Sequence, residues 1–175
     1  MEYKIIFKPY KNITDNFRKA VIERNSKIEE RDWIKNDGKV YRIGKLNPDN
    51  VRLRPNSDEN VKPMAEWLQK ELGGKVFINP EPEHSEFRTS DFMYRNQKWE
   101  LKTPKSKNKN TIYYQIDSGK GQANNFIIDM SQTEFSYEEV LEQVNFAFSA
   151  KNIKWFNKLI VKHNKHNKYG VFIRN

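Results

Sequence analysis

The chain has no cysteine, so disulfides, thiolate zinc sites and cysteine nucleophiles are all excluded. Histidine is scarce as well: His84, His163 and His166 are all there are, and none stands at zinc spacing with other ligands. They read as surface residues, although any of them could act as general acid or base in a metal-free ribonuclease. Long apolar runs are missing too, and nothing approaches the roughly 20 residues that a membrane-spanning helix needs. The stretch from Met1 to Lys8 is too short and too charged for a secretory h-region, so the expectation is a cytoplasmic protein, of a producing or a target cell, with no membrane partner. There is no internal repeat and no low-complexity run.

What is present is charge and aromatic bulk. In 175 residues, room for one domain or a domain with an appended subdomain, hydrophobic residues reach only 36% but aromatics make up 13%. Trp33, Trp67, Trp99 and Trp155, with many Phe and Tyr, can bury enough area to hold a core. Lys and Arg outnumber Asp and Glu by 32 to 23, a net charge of +9 that favours a polyanionic partner, with nucleic acid the default.

The most informative stretch runs from Asp91 to Lys102. Ser90 to Tyr94 alternates polar and apolar, Arg95-Asn96-Gln97 supplies a turn, and Lys98 to Lys102 alternates again, which is the pattern of a hairpin. Glu100 and Lys102, two apart on a strand, share a face, and Asp91 falls on the partner strand within reach of it. Two hard oxygen ligands can hold Mg²⁺ or Mn²⁺ against a phosphate, while an ammonium steadies the developing charge or orients water. A solvated hairpin face with a cross-strand ion pair is the plain alternative.

Residues 1–58 read as an accessory region and 59–175 as the nuclease-like domain, joined at Pro55 to Asn60. The accessory region holds a short strand (Tyr3 to Lys8) and a helix starting at Thr14-Asp15 and carrying Phe17, Ala20, Val21, Arg24 and Ile28. Asn36-Asp37-Gly38 ends that element, and a hairpin of Lys39 to Leu46 with Val51 to Arg54 turns at Asn47 to Asn50. In the main domain Met64, Ala65, Trp67, Leu68 and Leu72 form an apolar arc on a helix that Gly73-Gly74 terminates. Glu71 falls inside that arc and Glu66 nearly opposite, and either would complete a metal shell around Asp91 and Glu100. A strand at Lys75 to Ile78, one at Asn125 to Met130, a capping box at Ser136 and Glu139, and a terminal hairpin of Lys158 to Lys162 with Tyr169 to Ile173 complete the reading.

After Lys102 comes a basic loop, Lys105, Lys107 and Lys109, opening onto a helix from about Thr111 to Asn124. A helix N-terminus beside lysines favours a phosphate. Within that helix Thr111, Gln115, Ser118 and Gln122 fall on one uncharged polar stripe beside the apolar one, which suggests a cleft wall, and Lys120 borders the apolar stripe where it can reach a phosphate.

Several short motifs occur in order: Ala65-Glu66-Trp67-Leu68 with Gly73-Gly74, Ser90-Asp91-Phe92, Lys98-Trp99-Glu100-Leu101-Lys102-Thr103-Pro104-Lys105, Asn110-Thr111-Ile112, and Gln122 to Asp129. From about Glu59 to Phe148 this series resembles the C-terminal tRNase domains of contact-dependent growth inhibition toxins of the CdiA type, and related domains on phage and integrative-element proteins. Ser90 stands where such domains often carry Pro, and the first 58 residues match nothing in them. The resemblance implies a nuclease cutting tRNA or a structured RNA, with Asp91, Glu100 and Lys102 as its core and Thr111, Gln115 and Gln122 lining it. It also implies a cognate immunity protein.

Two α/β (α+β) architectures compete. The element order from Pro63 to Met130 is similar to the metal-dependent restriction-endonuclease-like PD-(D/E)xK core. The alternative is the metal-independent barnase/EndoU/colicin/RelE-like fold, with Lys102, Thr111 and a histidine in acid-base roles. Two carboxylates beside a lysine favour the first. The reading is therefore an RNA nuclease, RNA being favoured over DNA, that uses Mg²⁺ or Mn²⁺. Its rival is a non-catalytic, anti-CRISPR-like inhibitor from a phage or mobile element that occupies the nucleic-acid path of a host nuclease.

Overall fold

The computed structural model describes residues 8–23, 33–36, 39–42, 53–54, 56, 58–82, 89–163 and 167–175. In chain order its elements are β1 (Tyr10–Asn12), α1 (Thr14–Glu23), β2 (Trp33–Asn36), β3 (Lys39–Arg42), β4 (Leu53–Arg54), α2 (Val61–Glu71), β5 (Val76–Ile78), β6 (Glu81–Pro82), β7 (Phe92–Tyr94), β8 (Gln97–Lys102), α3 (Thr111–Ser118), β9 (Asn125–Asp129), α4 (Tyr137–Ser149), β10 (Lys158–Lys162) and β11 (Tyr169–Arg174). The class is mixed α/β. Two compact units interleave in sequence: one comprises Met1–Asn16, Lys102–Lys120 and Asn124–Asn175, the other Phe17–Leu101 and Gly121–Ala123.

In the first unit β9 and β10 run parallel with Phe126 beside Leu159 and Ile128 beside Val161, and β11 returns antiparallel to β10. Parallel neighbours need a crossover, which α4 provides. Both strands are apolar on both faces, as a doubly covered parallel pair requires. Phe126, Ile128, Leu159 and Val161 join Ile112 and Ile116 of α3 and Val140, Val144, Ala147 and Phe148 of α4 in one core, while Ile127 and Ile160 are buried on the opposite side. Ser136 caps α4 by accepting from the Glu139 amide at 3.2 Å, and Glu139 returns a bond at 2.7 Å, as the capping-box reading expected. Arg174 lies 4.7 Å from the Phe156 ring centre and donates to the Phe156 and Phe148 carbonyls; burial pulls its pKa below the usual guanidinium range.

In the second unit α2 buries Val61, Met64, Ala65 and Leu68, and the chain leaves it through Gly73 and Gly74 at φ 76° and 91°. Left-handed residues suit a helix exit, and glycine takes them without a Cβ clash. Antiparallel strands β5, β7 and β8 follow, in a register that pairs Ile78 with Phe92 and Phe92 with Trp99. Arg95 and Asn96, at φ 51° and 60°, make the two-residue turn between β7 and β8, so Gln97 belongs to the strand. Left-handed conformation at both central residues matches the twist of the strands they join. The guanidinium of Arg95 sits 3.5 Å from the Phe17 ring centre and donates to the carbonyls of Leu72 and Phe17. Desolvation lowers its pKa and raises that of Tyr94, whose hydroxyl donates to Gly73 at 2.6 Å; Arg95 opposes the Tyr94 shift.

Several local expectations change. The first helix starts at Thr14, as expected, and is described as far as Glu23; Arg24 and Ile28 lie outside the described residues. The N-terminal hairpin is β2 with β3, Asn36 facing Lys39, and β4 pairs with β6. The supposed turn at Asn47 to Asn50 and the strand at Tyr3 lie outside the described residues, apart from the strand's last residue, Lys8. Strand β1, paired with β11, went unread because three residues, one half-buried and two exposed, carry no periodic signal.

The helix after the basic loop stops at Ser118 rather than Asn124, since Gly121 adopts φ 88° and Gly119 closes the helix against a ring. A Cβ on Gly119 would stand 2.4 Å from Cε1 of Phe126, which is fully buried and has nowhere to go. Gly119→Ala is expected to cost about 1–3 kcal/mol of stability, read as a lower midpoint in urea denaturation.

Candidate active site

The hairpin of β7 and β8 sets the two carboxylates. Continuing its register by one residue beyond Phe92 and Trp99 puts Asp91 directly opposite Glu100. Residues so opposed project from the same face with Cβ atoms about 5 Å apart. Asp91 is fixed from three sides. Its Oδ2 accepts from the Leu101 amide at 2.8 Å, its Oδ1 accepts from Asn56 Nδ2 at 3.2 Å, and its carbonyl accepts from the Asn79 amide at 2.8 Å. Asn79 in turn donates from Nδ2 to the carbonyl and hydroxyl oxygens of Ser90, both residues being buried. Glu100 is 4% exposed, between buried Trp99 and Leu101.

A third carboxylate does not join them. Glu66 is exposed on α2 and Glu71 is the last residue of that helix. Among the described residues no group of three or more histidines and carboxylates gathers where a metal could be held. The arc that placed Glu71 toward the core reaches it only at the last residue of α2, where it is half-buried.

In the other unit, Lys102 ends β8 and is half-buried. Lys105, Lys107 and Lys109 are exposed in an irregular loop, and Lys107 lies 3.7 Å from Glu134 in a pair whose partners are both 84% exposed, where solvent screens most of the attraction. Thr111 is 2% exposed, with its hydroxyl donated to the Asn108 carbonyl at 2.5 Å. Gln115 is half-buried, and its carbonyl accepts from the Ser118 hydroxyl. The helix ends before Lys120 and Gln122, so they do not continue the polar stripe of Thr111 and Gln115. Lys120 is exposed and Gln122 half-buried.

Two features escape sequence reasoning. Asn56, 35 residues before Asp91, has no motif to mark it. A pocket of about 330 Å³ in the first unit is lined by Tyr137, His163, Lys168 and Glu134, Glu138 and Glu139. The His163 ring nitrogen Nε2 lies 2.7 Å from the Phe135 carbonyl. Burial and then Glu138 raise the Tyr137 pKa. His84 and His166 lie outside the described residues.

Residues 88–167 match the family described as the contact-dependent growth inhibition CdiA C-terminal domain. The chain is similar to that family over this stretch, a little under half of its length. It is also similar to a solved structure, the CdiA-CT/CdiI toxin and immunity complex from Burkholderia pseudomallei, at 22% identity and a TM-score of 0.45, covering 71% of this chain and 94% of that one. No curated protein matches in sequence.

Removing the Asp91 side chain leaves the Leu101 amide without its acceptor. Asp91→Ala is expected to lower unfolding stability by about 1–3 kcal/mol, measured by chemical denaturation, with Asp91→Asn losing less.

Proposed function

We propose that the chain is a nuclease toxin that cleaves RNA, tRNA or another structured RNA, by metal-assisted phosphodiester hydrolysis. The opposition of Asp91 and Glu100 across the hairpin carries this reading. Mg²⁺ commonly binds one or two protein carboxylates and fills its shell with water and substrate phosphate, so this pair suits it without Glu66 or Glu71. A bound Mg²⁺ or Mn²⁺ would polarise a phosphoryl oxygen and acidify water.

The chain's own groups divide the remaining work. Asp91 and Glu100 would hold the cation, and the hydrogen bonds on Asp91 keep its carboxylate oriented. Lys102, the last residue of β8, would supply an ammonium to steady the charge that develops on the phosphate. Lys105, Lys107, Lys109 and Lys120 hold the nucleic-acid backbone, whose affinity for lysine is electrostatic and independent of sequence. Thr111 and Gln115 shape the wall at the start of α3. The succession α2, β5, β7, β8, α3, β9 supports a PD-(D/E)xK-like core. A cognate immunity protein is the protein partner that such a toxin needs in the cell that makes it.

A second reading, a metal-free ribonuclease, is favoured by the pocket that brings His163, Tyr137 and Lys168 together. Acid-base catalysis needs groups of that kind within one cavity.

Purified protein is expected to cleave total tRNA in Mg²⁺ and to stop in EDTA, with Glu100→Gln and Lys102→Ala each slowing cleavage by about 100-fold or more. Cleavage that persists in EDTA and disappears in His163→Ala would select the second reading. Intact tRNA, other RNA and DNA under all conditions would remove the enzymatic claim.

A further inference from the structure

Of the large hydrophobic side chains exposed among the described residues, Tyr114 at 51% and Phe146 at 43% belong to one cluster. Tyr113 joins them. Its ring meets Tyr114 edge-on at 5.1 Å and Phe146 edge-on at 5.5 Å, and its hydroxyl accepts from Asn152 Nδ2 at 2.5 Å. The middle ring is thus pinned while the outer two face solvent. All three sit on α3 and α4 of the first unit, packed against each other through the core beneath. An exposed aromatic normally costs free energy, so a set of three held together by an oriented hydrogen bond calls for an occupant.

We propose that Tyr114 and Phe146 form a stacking platform for unpaired bases of an RNA. Charge on either side of the rings supports this occupant. The loop leading into α3 carries exposed Lys105, Lys107 and Lys109, and exposed Lys151 adjoins Asn152, the residue that pins Tyr113. Aromatic rings flanked by lysines are the arrangement that binds single-stranded nucleic acid, with bases on the rings and phosphates on the cations. Exposed Asp117 and Glu142 lie one helical turn from Tyr113 and Phe146 respectively. These carboxylates repel phosphate from the rings and accept from exocyclic amines, so bases rather than backbone meet the platform. The inference rests on an RNA substrate, and it narrows that substrate to one with splayed, unpaired nucleotides such as a tRNA loop.

Binding of a fluorescently labelled tRNA and of a single-stranded RNA dodecamer, followed by anisotropy in EDTA to prevent metal-assisted cleavage, tests it. Tyr114→Ala and Phe146→Ala are each expected to weaken both by about tenfold, with an unchanged salt slope and unchanged circular dichroism. Tyr114→Phe restores binding because the stacking face is kept. Lys105→Ala with Lys107→Ala instead reduces the salt slope. If the unmodified protein binds neither RNA, the RNA-nuclease reading falls and this inference with it. If it binds both and Tyr114→Ala with Phe146→Ala binds equally well, the platform alone is overturned, and loss of immunity-protein binding in that variant would reassign the rings to a protein partner.

Discussion

The bond from the Leu101 amide to Asp91 Oδ2 is the constraint on which the acidic pair depends. It ties the residue before β7 to β8, and so extends the hairpin one step past its last ladder pair. Without it Asp91 is the first residue of a loop, free to turn. With it, and with Asn79 and Ser90 holding the main chain, the carboxylate is delivered to the side of the strand that carries Glu100. The cost is that Asp91 is already engaged through both oxygens, which leaves lone pairs but limits rotation. A cation there would meet a preset ligand.

The turn at the other end of the hairpin works in the same direction. Arg95 and Asn96 adopt left-handed φ values without glycine, and Arg95 recovers that strain by stacking on Phe17 and donating to two carbonyls. Trp99 Nε1 closes on the Tyr94 carbonyl at 3.0 Å, and Phe17, Tyr94 and Trp99 pack edge to face. Register in a hairpin with one buried face cannot slip by one residue without turning its whole apolar set outward.

The sequence made this hairpin legible because alternation, a turn and a second alternation occur within thirteen residues. The capping box of α4, the glycine exit of α2 and the β10–β11 hairpin were readable for similar reasons: each is signalled by local residues. What failed was non-local. Helical periodicity carried the polar stripe through to Gln122, but Phe126, a residue of β9, fills the space that a longer side chain at Gly119 would need. Asn56 and Asp91 meet only in the folded chain, as do β4 and β6. Pairing partners across dozens of residues leave no periodic trace, so the pairing of β4 with β6 was not read from the sequence.

Electrostatics divides within the first unit. Its loop before α3 is lysine-rich, whereas the pocket beside α4 carries three glutamates with Lys168 and His163. Lys162 and Asp129, on adjacent parallel strands, form a half-buried ion pair at 3.4 Å. A net charge of +9 therefore conceals local acidity, and long-range attraction to a polyanion is steered by where lysines cluster.

The pairing of β1 with β11 sets Tyr10 opposite Arg174. Such a contact joins residues near opposite ends of the chain, and closing it comes late and slowly in folding because the loop entropy must be met before the ladder repays it. A nascent chain, or one threading through a pore, holds β10 and β1 as bare edges until its last described strand arrives.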